Sequence, residues 1–227
     1  MDLSLSRAAA VRIAPFALFM ALLALRGAAP VDGSWWGLDP RWIYGLTVLL
    51  VGALLLLFWR DYGELARQTW PVAGEALLAV AVGVAVFALW IELDAPWMMF
   101  GEPSVGFVPL SAGGTIDWPL AVVRLLGAAV LVPLMEELFW RSFLMRWLQA
   151  PIFEGVDPTR VGLKAVVLST FVFVLAHTLW LAAVVAGLAY AWLYVRSGKL
   201  WLPVIAHAVT NGLLWVWVIA TGNWQFW

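Results

Sequence analysis

The chain has 227 residues, of which 64% are hydrophobic and 12% are charged, and its net charge is −1. A typical soluble domain is about 45–50% apolar and about 25% charged, so this composition indicates a membrane protein and leaves no room for a sizeable soluble domain. The small net charge gives no indication of a nucleic-acid partner, and the absence of cysteine excludes disulfides, cysteine-ligated metals and a thiol nucleophile.

Apolar runs near the length of a membrane-spanning helix recur along the whole chain. The gaps between charged residues predict spans at Ala8–Leu25, Trp42–Trp59, Ala76–Ile91, Trp118–Met135 and Leu200–Ala220. Tryptophans bracket several of these runs, as in the aromatic belts at membrane interfaces. The basic start of the first run also fits a cleaved signal peptide, but Arg26 stands where a cleavage region should be small and neutral.

The stretch Ala165–Val195 is too long for one helix and too short for two full spans. As a single helix its 31 residues would extend about 46 Å, against a hydrocarbon core of about 30 Å. We therefore expect two shortened helices, joined by a turn near His177–Leu181 that is buried in protein.

The distribution of basic residues predicts the orientation of the chain. Seven spans with a cytoplasmic N-terminus place ten lysines and arginines inside: Arg7, Arg12, Arg60, Arg67, Arg141, Arg146, Arg160, Lys164, Arg196 and Lys199. Only Arg26 and Arg41 then lie outside, with Arg124 in the membrane, and this asymmetry follows the positive-inside rule. The connection from Ile91 to Trp118 carries four acidic residues and no basic one, as an outer loop can: Glu92, Asp94, Glu102 and Asp117.

The predicted fold is therefore an all-α, polytopic transmembrane helical bundle forming one membrane domain, 1–227. Residues 1–117 supply the N-terminal spans. Residues 118–220 supply the spans that carry the polar motifs described next.

Two adjacent glutamates, Glu136 and Glu137, directly follow the fourth predicted span. Glu137 and Arg141 are four residues apart and can form an ion pair on one helical face. Glu136 points about 100° away towards a different neighbour, which leaves it free to act as a general base. A second interpretation is that both glutamates snorkel to the cytoplasmic interface beside an arginine.

The two histidines of the chain both fall inside predicted spans. Phe173 and His177 are four residues apart, as are His207 and Asn211. A single membrane histidine often makes only a helix–helix hydrogen bond. Two histidines, an asparagine and a glutamate pair together indicate a functional site, because polar groups inside a membrane are costly. We interpret Arg124 as structural, placed to snorkel outward or to pair with an acidic residue of the outer loop.

Three motifs occur in order on separate predicted spans: Glu-Glu-x-x-x-Arg at 136–141, Phe-x-x-x-His at 173–177 and His-x-x-x-Asn at 207–211. In this order they resemble the CAAX prenyl endopeptidases of the Ras-converting type and their bacterial relatives. That group is the CAAX-protease and bacteriocin-processing family of glutamate-dependent intramembrane proteases. The N-terminal half, with its segment Trp59–Leu65, resembles a narrower bacterial subgroup that accompanies exosortase systems, which process C-terminal sorting signals.

The resemblance implies a role for each motif residue. Glu136, helped by His177, would activate a water for attack on a scissile amide. His207 and Asn211 would donate hydrogen bonds to the oxyanion of the tetrahedral intermediate. The residues that orient the site would be Glu137, Arg141 and Phe173.

The implied activity is an intramembrane endopeptidase without a cofactor. Its substrate would be a membrane-tethered protein or peptide, and its location the lipid bilayer of a bacterial inner (cytoplasmic) membrane. Because water must reach the site, we expect a polar cavity that opens to the cytoplasmic side.

Three alternatives remain open at this point. Two histidines and a glutamate match the ligand count of a catalytic zinc site, although Asn211 is a poor zinc ligand and no His-Glu-x-x-His is present. Proton transport would also use glutamate, histidine and arginine, but would tolerate loss of Asn211. An immunity or chaperone-like membrane scaffold would tolerate loss of Glu136.

Overall fold

The computed structural model describes residues 6–30, 37, 39–101 and 106–226. Within these ranges the regular structure is helical, with a single antiparallel bridge between Leu110 and Ile116. Glu102 of the predicted outer loop lies outside the described residues.

In the part of the chain that the structure describes, seven apolar helices form the bundle. They are α1 Arg7–Ala28, α2 Trp42–Leu57, α3 Ala73–Glu92, α4 Trp118–Gln149, α5 Leu163–Val174, α6 Trp180–Ser197 and α7 Trp201–Thr221. Five of them (α1, α3, α4, α6 and α7) are long and apolar enough to cross a membrane, while α2 and α5 are shorter. The prediction of an all-helical polytopic membrane protein is confirmed, and the cytoplasmic placement of the N-terminus stays a prediction.

The stretch that was ambiguous in the sequence forms two helices, as predicted. Helix α5 ends at Val174 and α6 begins at Trp180, so the turn starts two residues before the predicted one. The chain leaves the helix at Leu175, where backbone bonds change to i→i−3, as from Ala176 to Phe173 and from His177 to Val174. This turn places His177 between two helices.

The fourth span was predicted to end at Met135, but helix α4 continues to Gln149 and has 32 residues. Arg141 and Arg146 suggested a membrane edge, but both side chains are buried against acidic partners inside the bundle. Two π-helical segments, Gly127–Leu131 and Leu138–Met145, interrupt the α-helical pattern. The first ends two residues before Pro133, which has no N–H to donate and whose ring crowds the preceding turn.

Small residues bring the helices that surround the site into close contact. A Cβ added to Gly83 of α3 would overlap the Ala206 carbonyl oxygen of α7. A Cβ added to Gly187 of α6 would lie 2.8 Å from the Thr170 methyl group of α5. Glycines at such positions allow backbones to approach closely, which is how membrane helices commonly pack.

Candidate active site

The bundle encloses a cavity of about 150 Å³. Five of the seven residues singled out in the sequence line it: Glu136, Phe173, His177, His207 and Asn211. Glu137 and Arg141 lie behind this wall, where their side chains are 0% and 3% exposed. The structure therefore brings the three sequence motifs together around one space.

Glu137 is the buried centre of the polar network. Its Oε1 atom lies 3.1 Å from Nη1 of Arg141 and 3.0 Å from Nδ1 of His207. Arg141 also donates to the carbonyl oxygen of Gly187 at 3.3 Å, and its guanidinium lies over the rings of Phe173 and Tyr190. Buried charges require such partners, so Glu137 and Arg141 fix each other and hold His207 in one orientation.

Glu136 has a different environment, as the helical geometry predicts. Its side chain is half-buried, and within the described part of the chain no protein group donates a hydrogen bond to its Oε2 atom, which is itself buried. Glu136 and His177 line the same cavity and lie close enough to interact electrostatically. A carboxylate oxygen without a protein donor is available to accept from water.

The position of His177 determines which of its nitrogens can act as a base. Its Nδ1 atom lies 2.8 Å from the carbonyl oxygen of Phe173. A carbonyl only accepts, so Nδ1 carries the proton, and in the neutral ring Nε2 has a free lone pair. The Phe-x-x-x-His motif therefore sets the tautomer of His177 through the backbone of its first residue.

Asn211 is oriented by the irregular part of α4. Its Nδ2 atom donates to the carbonyl oxygen of Ala128 at 2.8 Å, within the first π-helical segment. The amide has a second N–H, and Asn211 lines the cavity. One hydrogen of the amide thus fixes the side chain, and the other remains for a ligand.

The cavity extends in a direction that the sequence did not predict. From Glu136 its lining runs along α4 through Val132 and Ala128 to Arg124, and on the other side to Trp90 and Phe226. These residues lie towards the end of the bundle that contains the 175–179 turn. The basic connections 58–72 and 150–162 lie at the opposite end. The lining thus extends away from the basic end of the bundle, and the predicted cytoplasmic opening stays a prediction.

The sequence analysis missed Tyr190 as a cavity residue and gave Arg124 no place in the cavity. Tyr190 stacks on His207, with ring centroids 5.1 Å apart, and its hydroxyl donates to Oγ1 of Thr210 at 2.8 Å. The guanidinium carbon of Arg124 lies 4.5 Å from the centroid of the Tyr44 ring. Tyr190 lies among apolar residues without a motif spacing, so only the fold identifies it. The structural role of Arg124 stays a prediction, and the residue also lines the cavity.

The zinc alternative requires a cluster of ligands. Among the residues that the structure describes, no group of three histidine, cysteine or acidic side chains is arranged to hold a metal ion. Asn211 and His207 instead make the protein contacts given above.

Residues 118–213 match the family model described as "Type II CAAX prenyl endopeptidase Rce1-like", which is less than half of the chain. The chain is also 24% identical to the "Putative membrane peptidase YdiL" of Bacillus subtilis (strain 168). That alignment covers 190 residues, 82% of this chain and 74% of the relative. A second relative is the "Inner membrane ABC transporter permease protein YnjC" of Escherichia coli (strain K12), 41% identical over 56 residues. There the alignment covers 23% of this chain and 11% of the permease.

No solved structure matches the chain. The family match includes all seven residues of the candidate site. The Bacillus subtilis relative, which is aligned over 74% of its own length, is named as a putative membrane peptidase. The comparisons thus support a membrane protease built on α4 to α7.

Proposed function

We propose that this protein is an intramembrane endopeptidase in which Glu136 and His177 activate a water molecule to hydrolyse a peptide bond. The observation that carries this proposal is the pairing of two acceptors at one cavity. Glu136 Oε2 receives no protein hydrogen bond among the described residues, and His177 presents its Nε2 lone pair. The match of residues 118–213 to a prenyl endopeptidase family supports the same reaction class.

In this reaction a water held by Glu136 and His177 attacks the scissile carbonyl carbon. Its proton passes to Glu136, which later delivers it to the leaving amine, so the carboxylate is regenerated. Arg141 and Glu137 do not touch the water. Their ion pair holds the α4 backbone and His207 in place.

The oxyanion formed by this attack requires hydrogen-bond donors. Asn211 has one amide N–H left after its bond to Ala128. His207 directs Nδ1–H at the Glu137 carboxylate, so its Nε2 atom donates only when the ring is an imidazolium. The Glu137 carboxylate lies 3.0 Å from Nδ1 of His207 and accepts its hydrogen. We infer that Glu137 serves the reaction by holding the His207 ring in one orientation while the intermediate is formed.

The substrate class follows from where the cavity lies. Its walls combine the polar groups with apolar side chains such as Trp90, Leu214 and Phe226, inside a bundle of membrane helices. A membrane-tethered protein or peptide can present an apolar segment to such a site. An exosortase-type sorting substrate of a bacterial inner membrane is the specific form of this proposal.

The test is cleavage of a library of membrane-embedded peptides by purified protein in detergent, read by mass spectrometry. Wild type should produce defined fragments. Glu136→Gln, which keeps the size of the side chain, should produce none. Glu154→Gln in the 150–162 connection is the matched control and should behave as wild type. Equal cleavage by Glu136→Gln and wild type would contradict the proposal, and a cellular function that survives Glu136→Gln would favour a scaffold.

A further inference from the structure

The segment Trp59–Leu65 lies outside the matched residues 118–213 and has no part in the reaction above. It forms two short 3-10 turns between α2 and α3. Its contacts reach α1: the Tyr62 hydroxyl donates to the carbonyl oxygen of Val11 at 2.9 Å, and Asp61 pairs with Arg7 at 3.0 Å. The segment therefore fastens α1 to the bundle.

Glu64 of this segment also contacts helix α4, which carries Glu136 and Glu137. Its carboxylate accepts from Arg12 of α1 at 2.6 and 3.0 Å. It also accepts from the Ser142 hydroxyl of α4 and lies 3.5 Å from Nη2 of Arg146. The side chains of Arg12, Glu64 and Arg146 are only 5%, 13% and 10% exposed. We call these four residues, Arg12, Glu64, Ser142 and Arg146, the clasp.

The clasp holds the second π-helical segment of α4. The backbone N–H of Arg146 bonds to the carbonyl oxygen of Phe143, rather than to that of Ser142 as an α-helix would require. The Ser142 carbonyl instead accepts from Nε of Arg146 at 2.5 Å. The Arg146 side chain thus supplies a donor where the π-helical geometry leaves a carbonyl without its usual one.

Ser142 follows Arg141 in the chain, so the contacts of the clasp and those of the site hold the same turn of α4. Glu64 holds this turn from the α1 side, and Gly187 and Glu137 hold Arg141 from the cavity side. A rotation of α4 by about 20° would move side-chain atoms about 6 Å from its axis by about 2 Å. A misplacement of about 1 Å can reduce a rate about 10²-fold.

We propose that Glu64 is a positioning residue for the hydrolytic site. Through Ser142 and Arg146 it sets the rotation of the π-helical segment 138–145, and thereby the Arg141–Glu137–His207 contacts. This inference rests on the proposed function for its effect on rate, but not for its effect on the geometry of the site.

The chain offers a matched control. The Arg7–Asp61 pair joins the same segment to the same helix α1, yet neither side chain contacts α4 through a described ion pair or hydrogen bond. Asp61→Asn should therefore loosen α1 without turning α4. Glu64→Gln removes the shared carboxylate charge. Ser142→Ala removes the hydroxyl that bonds to Arg12, Glu64 and Arg146 but leaves every charge of the clasp paired, so it is the alternative variant if Glu64→Gln does not fold.

The first readout does not require catalysis. The chain has two histidines, so the ring signals of 15N-histidine-labelled protein in detergent can be assigned by comparison with His177→Gln. We expect Glu64→Gln, or Ser142→Ala, to shift the ring signals of His207 because the hydrogen bond to Glu137 is altered. Asp61→Asn should leave them in place. An unchanged His207 signal in folded Glu64→Gln would overturn the inference.

The second readout is the division between kcat and KM. Glu64→Gln should lower kcat about 10- to 100-fold with KM within about twofold, because alignment and not substrate binding is lost. An equal loss of kcat in Glu64→Gln and Asp61→Asn would assign Glu64 a merely structural role. If wild type cleaves no peptide while the His207 signal still shifts, the proposed function fails and the positioning role stands.

Discussion

Nδ2 of Asn211 lies 2.8 Å from the carbonyl oxygen of Ala128, the acceptor that the first π-helical segment of α4 releases. In an α-helix this carbonyl would accept from the N–H of Val132, but that N–H bonds to Gly127 instead. A backbone irregularity on one helix thus orients a side chain on another. Such π-helical bulges occur frequently at functional sites.

Replacement of Asn211 by alanine should lower kcat about 10²–10³-fold, because loss of one oxyanion donor typically has this effect. KM should change little, since the donor acts mainly in the transition state. The exposed Asn223→Ala is the control and should retain wild-type rates. Full hydrolytic activity of Asn211→Ala would contradict the donor role.

Gly83→Ala should destabilise the fold, because its Cβ would overlap the Ala206 carbonyl oxygen and lie 2.9 Å from Cβ of Val209. Overpacking of this kind typically costs about 1–3 kcal/mol. Gly74→Ala in the same helix is the control, since nothing lies within 4 Å of the added atom. Unfolding in detergent measures both, and equal midpoints would show that α3 and α7 do not pack as described.

The stability of the protein should fall at acidic pH through Glu64, which lies outside the membrane-spanning helices. Burial alone would raise the pKa of this carboxyl. The hydrogen bonds and charge of Arg12, with the Ser142 hydroxyl, hold the pKa below its ordinary value of 4.5. The unfolded state then binds the proton more readily, so the contribution of Glu64 is complete above about pH 4.5 and is lost as the pH falls through its lower folded pKa.

Thermal unfolding between pH 6 and pH 3 measures this effect. The midpoint should decrease below about pH 4.5, and the decrease should be smaller in Glu64→Gln. Asp61→Asn should change the curve little, because the pair with Arg7 is exposed and exposed pairs contribute little. Curves of the same shape for wild type and Glu64→Gln would contradict the clasp as a source of acid lability.

The sequence predicted the parts of this structure that depend on local periodicity. Four-residue spacing predicted the Glu137–Arg141 ion pair, which the structure contains at 3.1 Å. The length of 165–195 predicted a turn at His177, since neither one helix nor two full spans fits it. Both arguments use only the rise and the residue spacing of a helix, and these quantities do not depend on which segments pack against it.

The features that were missed depend on pairing between distant residues. Arg141 and Arg146 were interpreted as the end of a span. The sequence does not show that Arg146 pairs with Glu64, because Glu64 lies in a connection between two earlier helices. The Asn211–Ala128 bond could not be predicted for the same reason, since it needs both the π-helical segment and the register of α7 against α4. Pro133 is a local signal of irregularity in α4, but it does not specify which carbonyl is released.

The most direct test of the account is the kcat of purified protein on a peptide identified from the library, with metal content measured before and after chelation. The account predicts that metal-free wild type cleaves at the full rate and that Glu136→Gln loses about 10²–10⁴-fold, as expected for removal of a general base. Activity that follows zinc content would contradict it, and so would a Glu136→Gln variant that cleaves as fast as wild type.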